Sequence, residues 1–347
     1  MVQSIVIDGK PLGGPHTYII AEAASNHDGD FEKAKELIKA AADAGADAVK
    51  FQTFRAKDHY SKYTPGFSYL KKHNKSTYEL IQSLELDREW IAGLTKYAYK
   101  NGITFLSSPC DYEAIDILGT LNTAAFKVAS FDLPDLQLIK HMARYNKPII
   151  LSTGMANYAD IQSAINACTG VGNKQIVLLQ CTSLYPAPVE LSNLKSIKTM
   201  QEAFDCLVGY SDHTLGDHIP IASVTLGSCL IEKHFTLNKD LPGPDHSFAM
   251  EPNELKSMIN KIRDVEKAMG DGLKNGPQTQ ETEMFEKGRR SLHTTRDLEN
   301  GDIIEADDLC VKRPGFGIPP QFYENIIGMT IKKSLKKDQW IRWEHFK

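Results

Sequence analysis

The segment AAFKVAS, residues 124–130, has the apolar and β-branched character of a buried strand, yet Lys127 lies in its middle. An ammonium group is costly to bury unless an anion neutralises it. A second lysine, Lys50, lies in the strand-like segment AVKFQT. Two cations accompanied by serine hydroxyls suit a small polyanion such as a carboxylate-phosphate, because charge-assisted hydrogen bonds offset the desolvation of both sides. We therefore predict an anion-binding site at the strand ends. Its members are Lys50, Lys127, Ser108, Ser130 and Ser211.

An internal partner is the alternative for Lys127. Glu22 and Glu232 also lie in strand-like segments, and either carboxylate could neutralise the ammonium group. The strand itself offers no anion, so the choice between ligand and carboxylate depends on the fold.

Two histidines form a second group of candidates. His213 and His234 lie at the ends of consecutive strand-like segments, in SDHT and EKHF. Imidazole nitrogens from adjacent strands can converge on one divalent ion, with water or substrate in the remaining positions. Asp212 and Glu232 flank them as candidate partners that orient the rings. Spacing alone leaves a metal site and an acid–base pair equally open.

Eight strand-like segments alternate with helix-like ones. The fold that this alternation predicts has to bring the anion-site residues and the two histidines together. The strand-like segments span residues 17–23, 48–53, 104–109, 124–130, 148–154, 176–183, 206–212 and 229–236. An amphipathic stretch after the first ends at Gly45, a plausible C-cap. The pattern predicts an α/β fold, a (β/α)8 TIM barrel, with its active site at the C-terminal strand ends. A doubly wound open sheet is the alternative, but AEAASNHDG lacks the expected GxGxxG loop.

Three further segments depart from the repeat. Residues 55–86 form a long connection, typical of a lid or a binding loop. A polar stretch over residues 273–288 predicts a linker after a barrel domain of residues 1–272. Residues 289–347 carry short strand and turn signals, which predict a small β-rich domain.

Composition limits the class of protein. The 347 residues are 41% hydrophobic and 24% charged, as in globular proteins, and the net charge of −4 gives no signal for nucleic acid or an anionic membrane. We find no signal peptide and no apolar run of about 18 residues. The six cysteines form no close pair, which predicts reduced thiols. We therefore expect a cytoplasmic protein with no nucleic-acid or membrane partner.

Nine short motifs follow one another along the chain. They are IIAEAASNHDGD, AVKFQTF, FLSSP, FKVAS, PIILSTGMA, CTSLYP, VGYSDHT, LIEKHFT and GPDHSFAMEP. In this order they resemble the sialic acid (nonulosonate) synthase family. The later VKRPGFG resembles the small C-terminal antifreeze-like (SAF) domain of those synthases. The resemblance covers nearly the whole chain and implies a TIM barrel followed by a SAF domain.

The resemblance also implies an activity. Such enzymes are transferases that condense phosphoenolpyruvate with an N-acylated mannosamine-type sugar and release phosphate by C–O cleavage. It implies that His213 and His234 hold Mn²⁺ or Mg²⁺, that the anion site binds phosphoenolpyruvate, and that Glu22 transfers a proton. The residues expected to face the sugar are Glu22, Gln52, Asp132, Tyr185 and Asp245, and Ser183 is a further expected substrate-binding residue. The family exchanges its small domain across a homodimer, so Arg313 would reach the sugar's N-acyl group in the other subunit.

Two departures leave the sugar open. Several N-acetylneuraminate synthases have Asn at the position of Ser183, and SGE at the position of Ser130, Phe131 and Asp132. The Ser-Phe pair is closer to pseudaminic acid synthases and spore-coat polysaccharide relatives, and GPDHSFAMEP is closest to the latter. The candidates are N-acetylmannosamine, its 6-phosphate and a 2,4-diacetamido-trideoxyhexose.

Two rival functions use the same residues differently. A metal-dependent barrel aldolase would use pyruvate and release no phosphate. A non-catalytic polysaccharide-binding protein would use the small domain for sugar contacts, and it would not need Lys50, Lys127 and both histidines to be present.

Overall fold

The computed structural model describes residues 5–67 and 75–346. The chain divides into two compact units, of which the first ends at Gly270 and the second begins at Asp271. The predicted long connection, residues 55–86, lies partly outside the described residues.

The first unit is built on eight parallel strands that follow a short hairpin of β1 (Val6–Ile7) and β2 (Lys10–Pro11). The eight strands are β3 (Tyr18–Ala24), β4 (Ala48–Thr53), β5 (Thr104–Pro109), β6 (Phe126–Val128), β7 (Ile149–Ser152), β8 (Ile176–Cys181), β9 (Leu207–Asp212) and β10 (Leu230–His234). Their hydrogen-bonded order is β5, β4, β3, β10, β9, β8, β7, β6. The first barrel strand pairs with the last, so the sheet curls into a ring whose ladder, among the described residues, is interrupted only between β5 and β6. The predicted TIM barrel is confirmed, and the open sheet is excluded.

Helices follow every barrel strand. In the first unit they are α1 (Phe31–Ala44), α2 (Ala56–His59), α3 (Thr77–Gln82), α4 (Trp90–Lys100), α5 (Tyr112–Thr120), α6 (Leu136–Ala143), α7 (Tyr158–Thr169), α8 (Ser196–Phe204), α9 (His218–Thr225) and α10 (Pro252–Ala268). The Asp30 side chain caps α1 by accepting from the N–H groups of Glu32 and Lys33. Gly45 ends α1 with φ of 90°, a left-handed conformation that favours glycine, so the predicted C-cap is confirmed.

Strand alternation sorts the barrel's side chains into two sets. One set packs between strands and helices and includes Ile19, Val49 and Phe126. The other set fills the barrel interior, and its members include Ile20, Ala48, Leu106, Ala125, Ile150, Leu179 and Leu230. Since side chains two residues apart share a face, the next inward positions are polar. These positions are Glu22, Lys50, Ser108, Lys127, Ser152, Cys181 and Glu232. The apolar interior therefore ends in a polar layer at the C-terminal strand ends.

A buried ion pair lies outside this interior set. Lys233 donates to the carboxylate of Asp212 and to the carbonyl of Thr214, and the lysine and aspartate side chains are 1% and 0% exposed. Asp212 also accepts from the backbone N–H of Thr214. This pair joins the ends of β9 and β10 and holds the loop after β9.

The second unit is small and irregular. Its strands β11 (Ser291–Thr294) and β12 (Leu309–Lys312) pair antiparallel, and α11 spans Tyr323–Ile326. It has an apolar core of its own, formed by Leu292, Leu298, Ile304, Leu309, Ile318, Ile326, Ile331, Leu335, Ile341 and Phe346. Single turns of 3₁₀ helix, in the two units together, span Val189–Leu191, His246–Phe248, Thr279–Glu281, Ala306–Asp308, Pro320–Phe322 and Trp343–His345, and a π-helical turn spans Met284–Gly288. The expectation of a β-rich small domain is confirmed.

Two sequence expectations bear on the whole chain. All six cysteines are free, as predicted, and three of them are buried. Among the described residues, no helix has both the length and the apolar character needed to cross a bilayer.

We expect Lys233→Met to destabilise the first unit strongly. The substitution leaves the Asp212 carboxylate buried without its cation, and breaking such a pair costs about 3–5 kcal/mol. Urea unfolding of the variant and the unmodified protein would measure the difference in the free energy of unfolding.

Lys261→Met is the matched control, since Lys261 pairs with Asp217 at the surface, where the two side chains are 54% and 24% exposed. An exposed pair contributes below about 1 kcal/mol. Equal effects of the two variants would contradict the structural role of Lys233.

Candidate active site

Four charged side chains form the floor of the candidate site. Lys50 Nζ lies 2.6 Å from Glu22 Oε2 and 3.8 Å from Glu232 Oε2. Lys127 Nζ lies 3.6 Å from Glu232 Oε1. All four side chains are at most 8% exposed. Two cations and two anions therefore neutralise one another inside the barrel, which is the condition for burying any of them.

Hydroxyl groups complete this network. Lys50 donates to Ser108 Oγ at 3.0 Å, and Ser211 donates to Glu232 at 3.0 Å. Lys127 donates to Ser152 Oγ at 2.8 Å and to the Val128 carbonyl at 2.9 Å. In this structure the buried lysine is thus satisfied internally, and Glu232, one of the two alternative carboxylates, is its ion-pair partner. Ser152 was not among the predicted anion-site members.

Burial sets the protonation of the network. It raises the pKa of Glu22 to about 7, against the opposing effect of Lys50. It also lowers the pKa of Lys127, although Glu232 acts in the other direction. For Glu232, burial is outweighed by Lys127 and Lys50, which hold its pKa below the usual value. Glu22 is therefore the carboxyl group suited to give and take a proton near neutral pH.

Ser130 and Ser183 lie beside this floor, on either side of Gly154. The backbone N–H of Gly154 donates to Ser130 Oγ at 3.0 Å. A Cβ at Gly154 would lie 2.3 Å from Ser183 Oγ and 2.8 Å from Ser130 Oγ, so only glycine allows this approach. Within the described residues Ser183 Oγ is buried without a hydrogen-bond partner. The hydroxyl is thus available to a ligand.

The two histidines face each other, as their strand positions predict. The ring centroids of His213 and His234 are 5.3 Å apart, and the ring of Tyr185 lies 4.3 Å from that of His213. Asp245 Oδ2 is 3.7 Å from His234 Nδ1. Burial raises the pKa of Asp245 to about 6.

The histidine nitrogens fit a divalent ion. His213 Nδ1 lies 2.7 Å from the Thr182 carbonyl, which only accepts, so Nδ1 carries a proton. Burial acts against the charged ring, but Cys181 and the Thr182 carbonyl outweigh it and raise the pKa of His213. Burial and the charge of His213 hold the pKa of His234 well below its usual value, which keeps its ring neutral. Among the described residues, His234 Nδ1 has no hydrogen-bond partner. A neutral ring with an unpartnered nitrogen, as at His234, is what a metal ligand requires, and an ion bound at His213 Nε2 would displace any proton on that nitrogen.

The expected orientation of these rings by Asp212 and Glu232 is wrong. Asp212 follows the inward-facing Ser211 by one residue, so alternation turns it to the other side of the strand, where Lys233 binds it. Glu232 points inward but pairs with the lysines. A backbone carbonyl at Thr182 orients His213 instead.

A cleft lies above the floor and is open to solvent. Six of the predicted site residues line it, namely Gln52, Ser108, Asp132, Tyr185, His234 and Asp245. Gln52 also donates to Glu22 at 3.1 Å, which connects the cleft to the floor. Apolar side chains of the long connection, Leu80, Ile81 and Leu84, form part of the wall. This supports a binding role for that connection, as its length predicts.

His59 and Cys110 are among the cleft residues that the sequence analysis missed. His59 ends α2, and Cys110 directly follows β5, where it approaches Asp132. Cys110 carries a signal that could have found it, because it stands at a strand end immediately after FLSSP. His59 lies in an irregular connection where no periodicity predicts its position.

Arg313 is the predicted site residue that belongs to the second unit. It lies just after β12 in the second unit and is exposed. Its predicted role in another subunit's site stays a prediction.

Comparison with known proteins identifies the family. The model of the NeuB family matches residues 37–274, and the model of the SAF domain matches residues 289–347. The chain belongs to the NeuB family. Its resemblance to the sialic acid synthases is thereby confirmed.

Relatives of this NeuB protein match along most of its length. It is 44% identical to N,N'-diacetyllegionaminic acid synthase of Campylobacter jejuni over 331 residues, covering 94% of this chain and 99% of that protein. It is 38% identical to pseudaminic acid synthase of Helicobacter pylori, covering 92% and 94% of the two chains. The crystal structure of the spore coat polysaccharide biosynthesis protein SpsE of Bacillus subtilis is similar with a TM-score of 0.68, 36% identity and 99% of each chain covered. These relatives include synthases of nonulosonic acids.

Proposed function

We propose that this NeuB protein is a nonulosonic acid synthase that condenses phosphoenolpyruvate with an N-acylated mannosamine-type sugar. The observation that carries the proposal is the presence of two buried lysines and two facing histidines at one end of the barrel. The first pair suits a carboxylate-phosphate, and the second would hold a divalent ion that polarises a carbonyl oxygen. The activities named for its relatives support the same reaction class.

Phosphoenolpyruvate would bind at the floor. Lys50 and Lys127 would turn from Glu22 and Glu232 toward the ligand's phosphate and carboxylate, keeping a charge partner throughout. The hydroxyls of Ser108, Ser130 and Ser211 would donate to the remaining anionic oxygens. Holding this ligand rigidly beside the sugar supplies the entropic part of catalysis.

The sugar would bind in the cleft in its open-chain form. His213 and His234 would hold the divalent ion, Mn²⁺ or Mg²⁺, that acts as a Lewis acid on the aldehyde oxygen. Gln52, Asp132, Ser183, Tyr185 and Asp245 would contact the hydroxyl and acylamino groups. The names of the relatives favour a 2,4-diacetamido-trideoxyhexose as the sugar, over N-acetylmannosamine and its 6-phosphate.

The bond changes follow from this arrangement. The enol carbon of phosphoenolpyruvate attacks the aldehyde carbon, which forms the new C–C bond and leaves a cationic centre on the adjacent carbon. Water adds to that centre, and the C–O bond to phosphate then breaks. Glu22, with its pKa raised to about 7, would transfer a proton to the aldehyde oxygen or from the attacking water.

A homodimer with exchanged small domains would complete the site. Apolar side chains are exposed on the loops after four consecutive strands, β6 to β9: Phe131 at 52%, Met155 at 67%, Leu184 at 46% and Leu215 at 56%. An exposed apolar rim of this kind is typical of a surface that another subunit covers. Arg313 would then contact the sugar's N-acyl group in the partner's cleft.

The central test is phosphate release. With phosphoenolpyruvate, Mn²⁺ and a panel of the three sugars, we expect inorganic phosphate and a product whose mass is that of the nonulosonic acid. His213→Ala and His234→Ala should each abolish release, and chelation of the unmodified enzyme should do so reversibly.

His141→Ala is the control, because His141 is a surface histidine that bonds Asp116 away from the barrel mouth. It should retain activity. Full phosphate release by metal-free enzyme would refute the metal role, and carbon–carbon bond formation from pyruvate without phosphate would favour the aldolase.

Lys127→Met should weaken binding of phosphoenolpyruvate far more than that of the sugar. Losing one buried charged contact costs a few kcal/mol, so we expect the KM for phosphoenolpyruvate to rise on the order of a hundredfold. Steady-state kinetics with each substrate varied in turn measures the two effects separately.

Ser152→Ala serves as the comparison, since it removes only the hydroxyl that accepts from Lys127. Its effect should be much smaller. If Lys127→Met instead lowers thermal stability and leaves the KM for phosphoenolpyruvate unchanged, the lysine acts only as the partner of Glu232.

The exchanged dimer predicts complementation between two inactive variants. In a heterodimer of Arg313→Ala and His213→Ala chains, one composite site inherits both defects and the other neither. A dissociated and reassociated mixture should therefore recover activity, up to half of the heterodimer's sites. No recovery, with subunit exchange verified by mass, would reject the exchange.

A further inference from the structure

Three metal-ligating side chains other than the two histidines of the candidate active site converge in the cleft. Cys110 Sγ lies 3.7 Å from Asp132 Oδ2, and His59 Nδ1 lies 3.9 Å from Asp132 Oδ1. One ligand atom from each residue lies within 4.8 Å of the others. Bonds of about 2.0–2.3 Å at tetrahedral angles separate ligand atoms by about 3.3–3.8 Å, so small side-chain movements bring all three onto one ion.

Three neighbouring strands position these groups. His59 ends α2, which follows β4, and its ring contacts the rings of Phe54 and Tyr60. The N–H of Cys110 bonds the Thr53 carbonyl directly after β5. The N–H of Asp132 bonds the Ala129 carbonyl in the turn after β6. The ligand atoms are therefore carried by backbone that the barrel itself holds in place.

The donor atoms of this trio have only weak partners. The Cys110 thiol makes long contacts, at 3.8 Å to the Ser108 carbonyl and 3.7 Å to Asp132. Burial and the Asp132 charge raise the pKa of that thiol well above its usual value, so it is a neutral thiol without an ion. Among the described residues, the ion-pair partner of the Asp132 carboxylate is the His59 ring at 3.9 Å. A cation would satisfy all three groups at once.

We propose that His59, Cys110 and Asp132 form a second metal site, separate from the histidine pair, that takes Zn²⁺ or a similar thiophilic divalent ion. A set of one imidazole, one thiolate and one carboxylate matches zinc, whereas Mg²⁺ and Mn²⁺ prefer oxygen ligands. Binding converts the Cys110 thiol into a thiolate and releases its proton. The fourth position faces the cleft, where water completes the coordination.

Occupancy of this site blocks the sugar end of the cleft. Asp132 and Cys110 both line the cleft, and Asp132 is the residue expected to meet the sugar. An ion bound to its carboxylate removes that acceptor and fills the space beside it. This consequence rests on the proposed function, and it makes Zn²⁺ an inhibitor that competes with the sugar and not with phosphoenolpyruvate.

Cobalt spectroscopy of the full-length protein tests the site without any assay of activity. Co²⁺ titrated into the reduced protein should produce the near-ultraviolet absorption of a sulfur-to-cobalt bond. Cys110→Ser should abolish that absorption, and Cys206→Ser, at a half-buried cysteine outside the cleft, should retain it. His59→Phe is a second variant that removes a ligand and leaves the thiol in place. It should weaken cobalt binding even if Cys110→Ser folds poorly.

A third cysteine variant separates the two possible metal positions. Cys181 Sγ lies 3.9 Å from His213 Nδ1, so it could give a thiolate signal at the histidine pair. Cys181→Ser should retain the absorption. Its loss in Cys181→Ser with retention in Cys110→Ser, or no thiolate absorption in any protein, would overturn the proposal.

Zinc affinity and kinetics complete the test. Competition with a chromophoric chelator should show a Zn²⁺ affinity at least about tenfold lower in Cys110→Ser. In the presence of Mn²⁺, Zn²⁺ should raise the apparent KM for the sugar only in proteins that keep Cys110. An unchanged KM despite zinc bound at Cys110 would refute the inhibition. A cobalt–thiolate signal in a protein without synthase activity would refute the proposed function and leave the site standing.

Discussion

Charge neutralisation inside the barrel is the constraint on which the site depends. Glu22, Lys50, Lys127 and Glu232 point into a space closed from below by apolar side chains, and water does not reach them freely. None of the four could be buried alone, because an unpaired ion in such surroundings costs several kcal/mol. Their strand register makes mutual pairing possible, with Glu22 opposite Lys50 on neighbouring strands. The same proximity keeps the lysines ready for an anionic ligand, since a ligand need only replace the carboxylates.

In the histidine half of the site, burial favours a neutral side chain at His234. His213 and His234 lie beside two buried cations, and burial keeps the ring of His234 neutral. A neutral ring can offer a lone pair, whereas a charged ring could not. The barrel thus places a charged anion-binding floor next to a histidine pair in which the ring of His234 is neutral, and both halves come from side chains at strand ends. Loops above them, including the wall of Leu80 and Leu84, shape the cleft.

The buried Lys233–Asp212 pair shows that site residues and purely structural residues alternate along the same strands. Ser211 faces the site and donates a hydrogen bond to Glu232. The next residue, Asp212, faces away from the site, pairs with Lys233, and accepts from the backbone N–H of Thr214 in the loop that follows His213. The support for the histidine thus comes through the main chain. Rings and carboxylates that are adjacent in sequence therefore need not act on each other.

The sequence by itself determined the strands, their order and the family, because apolar periodicity and ordered motifs are local properties of the chain. It also placed both lysines and both histidines at strand ends, where a parallel barrel gathers them. Only the tertiary structure decided which side chains each of these residues contacts. Lys127 meets Ser152 and Glu232 because β6 pairs with β7 and the barrel closes across to β10, and no local pattern encodes that distance. His59 reaches Asp132 from an irregular connection for the same reason. Secondary structure depends on near neighbours, whereas side-chain contacts depend on how distant strands come into register.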